Sequence, residues 1–488
     1  MNKIVKITAA LTAMIMLFSL QINVFAEEQV SSAADQPSSW ASEGIKWSKV
    51  YGLATDDMQK NYTSSVTREE LYSVCESVYE KVTGDQVVTA DVKSPFSDTN
   101  SDAVLKACAA GILNGSGKFE PQKEATRLDM VTVIYNVIKA AQPDFDFNTS
   151  AELAFKDAKT IPEGSRDIVK YAVYKGILKG RSNDTLDLRS SCSRQELIVF
   201  AKNAYEFIIY EEGRDSKGAF WKVSDKDSSV YLLGSIHVAD WSMYPLSKDI
   251  LNAYDKADFL AVEANITNEQ EVAMYMLQKA LYKDDNTLYK NVPKEVYDRF
   301  VEAIKPYGIK PEFYNKFKPW YAALLVQNLQ ITENSLSGEL GIDMFFLEKA
   351  AGQKDILEIE GAKFQVDLFD SFSNELQVEY LAGALAPDDE AQEEAMDTLD
   401  DMIMSWKTGD TQGLEKLVKS EEAETSAMKE FNEKLWNSRD TNMAEKVKGY
   451  LADPEGKTYF VVVGAGHMVG KTGIVAQLGG EYEIEQIK

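Results

Sequence analysis

The chain has 488 residues, too many for one core, and its 44% hydrophobic and 27% charged content is that of globular domains, not of a disordered or fibrous chain. The net charge is −26 at pH 7, and no Lys/Arg-rich run interrupts that acidity, which argues against a nucleic-acid partner.

Residues 1–26 have the layout of a secretory signal peptide: Lys3 and Lys6, an apolar run over 7–20, then Val24-Phe25-Ala26 before Glu27. The run is too short to cross a bilayer comfortably, and no later segment is apolar enough to do so. The mature chain is therefore expected outside the cytoplasm, without a transmembrane segment. A polar Ser/Ala/Gln/Pro linker follows over 27–39.

Residues 40–210 read as three degenerate helical repeats, about 40–90, 91–148 and 149–210. Each carries an [ST]-R-x-[ED] motif: Thr67-Arg68-Glu69-Glu70, Thr126-Arg127-Leu128-Asp129 and Ser193-Arg194-Gln195-Glu196. A Thr or Ser followed three residues later by an acid is a capping box, which starts a helix but does not explain an arginine in every copy. Openings recur at Pro95-Phe96-Ser97-Asp98 and Ala154-Phe155-Lys156-Asp157. Gly117-Lys118-Phe119-Glu120-Pro121 of the second repeat becomes Asp184-Thr185-Leu186-Asp187 in the third, and the first repeat lacks both features. The three cysteines, Cys75, Cys108 and Cys192, all fall here without metal-ligand spacing. They are buried thiols, or one disulfide and a free thiol. The pattern resembles the S-layer homology (SLH) repeat. That resemblance implies an all-α module gripping the secondary cell-wall polysaccharide of a monoderm bacterium, with Arg68, Arg127 and Arg194 binding anionic groups of the glycan.

A different architecture starts at 212 and runs to 488. Two β-type runs, 219–223 and 230–236, flank a polar turn and read as a hairpin. A helix over 246–257 leads to a buried strand at 259–262 that ends in Glu263. Helices are expected at 268–282, 293–306, 311–330 and 341–351, then a strand at 355–360 that ends in Glu360. More helices fill 364–452, their acidic stretch at 388–401 being a solvated face. A fully apolar strand at 459–463, a helix at 471–478 and a strand at 481–487 close the chain. Strands alternating with helices predict an α/β domain with a mixed sheet, a large helical insertion and a site at the sheet's carboxyl edge.

The chain's only two histidines, His237 and His467, each follow an apolar strand and each have glycine three residues before them. By chance both would do so about half a percent of the time. Glycine there is expected to turn the backbone sharply and expose the imidazole, which suits proton transfer or metal binding. The Gly470-Lys471-Thr472 segment falls short of a phosphate loop because Ala465 stands where the first glycine is required, and the dinucleotide fingerprint fails at Val469. The glycine-rich turn can still present N–H groups to an anion.

Residues from about 218 onward resemble the TraB/GumN family, which includes the Tiki proteases. The resemblance runs through Tyr231-Leu232-Leu233-Gly234-Ser235-Ile236-His237, Ala261-Val262-Glu263, Lys318-Pro319-Trp320 and Gly341-Ile342-Asp343. It continues through Leu357-Glu358-Ile359-Glu360-Gly361-Ala362-Lys363-Phe364-Gln365, Ser438-Arg439-Asp440-Thr441-Asn442 and Val463-Gly464-Ala465-Gly466-His467. Asp440 departs from the family's asparagine. The resemblance implies an extracellular, metal-dependent peptidase acting on a peptide or protein. His237, Glu263 and His467 would then hold a divalent Mn, Co or Zn ion or work as acid and base. Arg439 would stabilise an anionic intermediate, with Glu360 and Gln365 supporting it. The rival is a non-enzymatic surface binder that sequesters a peptide such as a pheromone. Either way His237 and His467 must be neighbours, with Glu263 close by.

Overall fold

A computed structural model describes residues 36–90, 92–150, 152–225, 228–267, 269–333, 336–385, 389–419 and 425–488. The expected signal peptide and most of the linker lie outside these residues, and the first helix begins at Ser39. The chain divides into two compact units, Phe25–Arg214 and one containing Asp215–Lys488.

In the first unit the three repeated motifs become three capping boxes. Thr67, Thr126 and Ser193 accept the backbone N–H of Glu70, Asp129 and Glu196, whose carboxylates accept the cap residue's own N–H. They start the helices Arg68–Thr83, Arg127–Ala141 and Arg194–Glu211. The residue before each cap enters a closed ring of backbone hydrogen bonds. Val66 N donates to Cys192 O at 2.8 Å, Cys192 N to Ala125 O at 2.9 Å and Ala125 N to Val66 O at 2.8 Å. Sequence repetition is thus converted into a pseudo-threefold arrangement in which each copy satisfies the next.

The Asp98 carboxylate accepts the N–H groups of Phe119 and Glu120, and Asp157 accepts those of Leu186 and Asp187. Phe119 and Leu186 are both fully buried, and Glu120 and Asp187 both take positive φ. The third repeat's divergent segment therefore reproduces the second's geometry: one apolar anchor, one aspartate staple. All three thiols are free, Cys75 and Cys192 being buried and Cys108 half-buried. Burial pushes the Cys75 and Cys192 thiols well up, so they are inert.

The second unit is built on one six-stranded mixed sheet. Its strands are β1 (Ala219–Ser224), β2 (Ser229–Ser235), β3 (Phe259–Val262), β4 (Asp355–Glu358), β5 (Thr458–Gly464) and β6 (Glu483–Gln486), in spatial order β4-β3-β5-β2-β1-β6. β1 pairs antiparallel with both β2 and β6, whereas β4, β3, β5 and β2 run parallel. β5 is apolar and buried on both faces after its first residue, as a central parallel strand must be. Coming last of the four parallel strands in sequence, it inserts between β3 and β2, with Ser235 opposite Gly464 and Val262 opposite Val462. That insertion brings the two ends of the domain to one edge.

Helices fill the two long connections flanking β4. The helix expected over 311–330 is broken into Pro311–Tyr314 and Pro319–Glu333, since the proline at 319 disfavours helical geometry at Lys318. The helix expected at 471–478 is only Ile474–Leu478, because Gly470 takes φ of +83° and the chain turns before helix can start. Unforeseen in the sequence is a turn of π-helix, Asn432–Asn437, leading into the helix Ser438–Leu451.

Candidate functional site

The carboxyl ends of the four parallel strands carry, in spatial order, Glu360, Glu263, His467 and His237. Glu263, His467 and His237 are buried, as is Arg439 from the helix Ser438–Leu451, and Glu360 is half-buried with its side chain turned inward, only 6% exposed. Both imidazoles lie near enough to act on the charge of Glu263. The five residues expected to act together therefore converge.

Each histidine is backed by an aspartate for which sequence reasoning had no role. His237 presents Nδ1 to Asp343 Oδ2, and Asp343 Oδ1 accepts the Ser235 hydroxyl at 3.0 Å. Asp343 sits in the first turn of the helix Ile342–Ala350, anchored by Ile342 N donating to Ile236 O at 3.0 Å. A Cβ at Gly341 would overlap the His237 carbonyl, so only glycine lets this helix dock there. His467, in the one-turn helix Ala465–Met468, directs Nδ1 at Asp440 Oδ1 at 2.6 Å. The other Asp440 oxygen accepts Lys419 Nζ at 2.6 Å and the Thr472 hydroxyl at 3.1 Å. Trp436, from the π-turn, packs its ring 5.1 Å from that of His467.

The reason for glycine ahead of His237 differs from the one expected. Neither Gly234 nor Gly464 takes positive φ. Gly234 is required by close approach: a Cβ there would lie 2.8 Å from Ala465 Cα. The missing side chain lets the turn carrying His467 settle against β2. Gly464 N donates to Glu263 Oε2 at 3.0 Å.

Between the histidines and Glu360 lies an ion cluster. Arg439 grips Glu360 with Nε at 2.9 Å and Nη2 at 2.8 Å, and Nη2 also meets Glu263 Oε1. Gln365 Nε2 donates to the same Glu263 oxygen at 2.6 Å. Burial works to raise the Glu263 pKa, but Arg439, the two histidines and the Gly464 N–H outweigh it and hold it at about 2. Glu360 goes the other way: burial lifts it and the Glu263 charge adds to the rise, against the pull of the shared guanidinium. One cation serving two buried carboxylates sets them apart in this manner. Glu263 is accordingly a fixed charge and a poor base near neutrality, and Glu360 is the carboxyl more ready to hold a proton.

The expected metal ligands can be tested on this donor set. Both Glu263 oxygens already accept protein donors, one of them a guanidinium, whereas each histidine turns only Nδ1 to an aspartate, as metal-ligating histidines commonly do when Nε2 is the ligand. No group of three or more His, Cys, Asp or Glu among the described residues is disposed to hold an ion. As arranged, Glu263, with both oxygens engaged, does not fit as the third ligand beside His237 and His467.

In the first unit the three motif arginines occupy unequal places. Arg127 is buried, with Nη1 on Glu196 at 2.7 Å and Nε on Leu186 O at 3.0 Å. Arg194 donates to Asp57 O and Lys60 O, both at 3.2 Å, and pairs with Glu70. Both tie one repeat to the capping acid of another. Arg68 is half-buried and lies over the Phe119 ring at 4.9 Å.

Comparison with known proteins agrees with both resemblances at the level of family. An S-layer homology domain is matched at residues 154–197, the third of the three stretches. That domain indicates a cell-surface, cell-wall location and suggests a cell-wall polymer as partner. No helix among the described residues is long and apolar enough to cross a membrane. The "uncharacterized protein YbaP" of Escherichia coli K12 is 30% identical over 138 residues, 28% of this chain and 50% of its own length. An uncharacterized protein of Treponema pallidum is 21% identical over 172 residues, 34% of this chain and 51% of its own. The chain thus spans about half the length of the curated relatives it matches. The model of the TraB/PrgY/gumN family matches residues 219–486, the whole sheet with its helical insertions, and the chain belongs to that family.

Proposed function

We propose that the protein is a hydrolase held on the cell wall that cuts peptide or protein substrates between its two histidines. The supporting observation is the pair of buried His–Asp dyads beside one Arg–Glu cluster at a single sheet edge. In each dyad the aspartate fixes the imidazole tautomer and leaves Nε2 as the nitrogen for proton transfer. One histidine takes a proton from water as the water oxygen bonds to the amide carbon; the other delivers a proton to the leaving nitrogen as the C–N bond breaks. Arg439, held by Glu360 and Glu263, supplies positive charge for the oxyanion, and Gln365 steadies Glu263. The S-layer homology module would carry the domain to the wall polysaccharide, with Arg68 the motif arginine best placed to meet a glycan.

The experiment is cleavage of a peptide library by full-length protein, with His237→Ala and His467→Ala as controls, with and without chelator. Cleavage that disappears in both variants is expected. A His237→Ala protein that cuts as well as wild type would remove the assignment. One observation favours the rival reading, a surface binder that sequesters a peptide: His237, Glu263, Arg439 and His467 are all at most 6% exposed, which leaves little of the constellation open to a substrate. Peptide binding with no turnover by active-site-intact protein would select that reading.

A further inference from the structure

The three copies in the first unit are joined in one direction around their ring. Each motif arginine is tied to the next copy by its own backbone: Arg68 N donates to Lys123 O at 2.9 Å, Arg127 N to Ser190 O at 3.0 Å and Arg194 N to Ser64 O at 2.9 Å. Two of the side chains follow the same direction. Arg194 of the third copy pairs with Glu70, the capping acid of the first, and Arg127 of the second pairs with Glu196 of the third at 2.7 Å. By that rule Arg68 of the first copy faces Asp129, the capping acid of the second.

The third pair is not made. In Glu70 and Glu196 one carboxylate oxygen, Oε2, accepts the N–H of the cap residue, and the other, Oε1, accepts the arginine. Asp129 performs the first task, its Oδ2 accepting Thr126 N at 2.8 Å, but it is one methylene shorter and falls short of the second. Arg68 and Asp129 both lie near enough to the Tyr72 hydroxyl to act on its charge, yet no hydrogen bond or ion pair joins them. Among the described residues the Arg68 guanidinium has no acceptor; it lies half-buried over the Phe119 ring at 4.9 Å. A planar fork of donors steadied on an aromatic face is suited to an oxyanion.

We infer that Asp129 sets the number of wall-binding positions in this module to one. Its short side chain leaves Arg68 for an anion of the wall polymer, a carboxylate or a phosphate, whereas glutamate at the same place in the other two pairs takes the arginine for itself. Arg127 and Arg194 thus serve the ring and not the wall. The proposal rests on the wall-anchoring reading above and adds to it the residue that decides where the polymer is held.

Sedimentation of the full-length protein with purified wall sacculi tests it, for wild type, Asp129→Glu, Arg68→Ala and the protein carrying both substitutions. Glutamate completes the capping box in the first and third copies, so Asp129→Glu should fold and melt no lower than wild type. It should bind the sacculi at least about tenfold more weakly, because a charge-assisted contact to the polymer is exchanged for an internal one. Arg68→Ala should lose about as much, and the double substitution no more than either, since both act on one guanidinium. Amidating the carboxyl groups of the sacculi with a carbodiimide identifies the anion: wild-type binding is lost if it is a carboxylate and kept if it is a phosphate. Asp129→Glu protein that sediments like wild type, or a double substitution whose loss is the sum of the single ones, overturns the proposal and leaves the anchoring reading in place. Wild-type protein that stays in the supernatant removes both.

Discussion

Replacing Arg439 by methionine isolates the central electrostatic arrangement of the site, because it removes the one guanidinium that serves Glu263 and Glu360 and keeps most of the side-chain volume. Holding Glu263 at about 2 instead of 4.5 corresponds to about 3 kcal/mol at neutral pH. Arg439 is the largest of the influences that lower Glu263, ahead of the two histidines and the Gly464 N–H, and breaking a buried pair by removing one partner costs roughly 3–5 kcal/mol. The sign with pH follows from the directions. Glu263 is depressed, so its contribution is present above pH 4.5 and is lost as pH falls towards 2. Glu360 is raised, so its share is unfavourable above its unfolded value and opposes the first. Without Arg439 both carboxyls are pushed upward, and the penalty of Arg439→Met is largest near pH 7 and shrinks on acidification towards pH 5. Urea unfolding of the full-length chain at both pH values measures this, followed by tryptophan fluorescence because five of the seven tryptophans, Trp221, Trp241, Trp320, Trp406 and Trp436, lie in the second unit, with Trp40 and Trp47 replaced by phenylalanine in both proteins. Adding Glu263→Gln to the variant should recover part of the loss, since the amide needs no counter-charge. A loss under about 1 kcal/mol at pH 7, or one as large at pH 5, would refute the picture of one cation between two buried carboxylates.

Gly341→Ala should lower the melting temperature and reduce activity together, because the new methyl overlaps the His237 carbonyl and neither backbone can yield; overpacking of this kind costs about 1–3 kcal/mol. Asp343→Asn should leave the fold in place but cut peptide turnover by about 10³–10⁴-fold, since an amide facing Nδ1 stabilises the wrong tautomer; steady-state kinetics against the library-derived substrate would show it, and a loss below tenfold would contradict the dyad role. In the first unit Arg127→Ala should destabilise by about 3 kcal/mol in thermal unfolding, having stranded the Glu196 side of a buried pair, although Arg181 at 3.0 Å from the same oxygen limits the cost. Arg68→Ala should melt with wild type yet sediment less with purified wall sacculi, and equal sedimentation would leave Arg68 without a role in anchoring.

The succession of strands along the chain and the residues that end them could be read from the sequence because each rests on local pattern, whereas the order of strands in the sheet could not. The apolar run before His467 can only be a strand buried on both faces, and a histidine and a glutamate that both end such strands must emerge at one edge if the strands are parallel. What pattern does not carry is which element turns back to meet that edge. Asp343 and Asp440 lie in helices, 106 and 27 residues from their histidines, and nothing in helical periodicity says that a buried first-turn carboxylate faces an imidazole instead of a core contact or a cap. The aspartate at 440 was legible only as a departure from the family's asparagine, and its meaning needs Lys419, which neutralises the charge the substitution adds. The same limit applied to glycine. A glycine before each histidine is visible in one dimension, but Gly234 is there for Ala465, a residue 231 positions on, and not for a positive φ, which neither glycine takes. The repeat motif shows the limit from the other side. Its arginines share one sequence position but not one environment, because the acid that Arg127 pairs with is set by the ring of three copies and not by the motif itself. Local chemistry thus names the groups that meet at a site, while their protonation, charge balance and freedom to act are decided by partners that only the fold supplies.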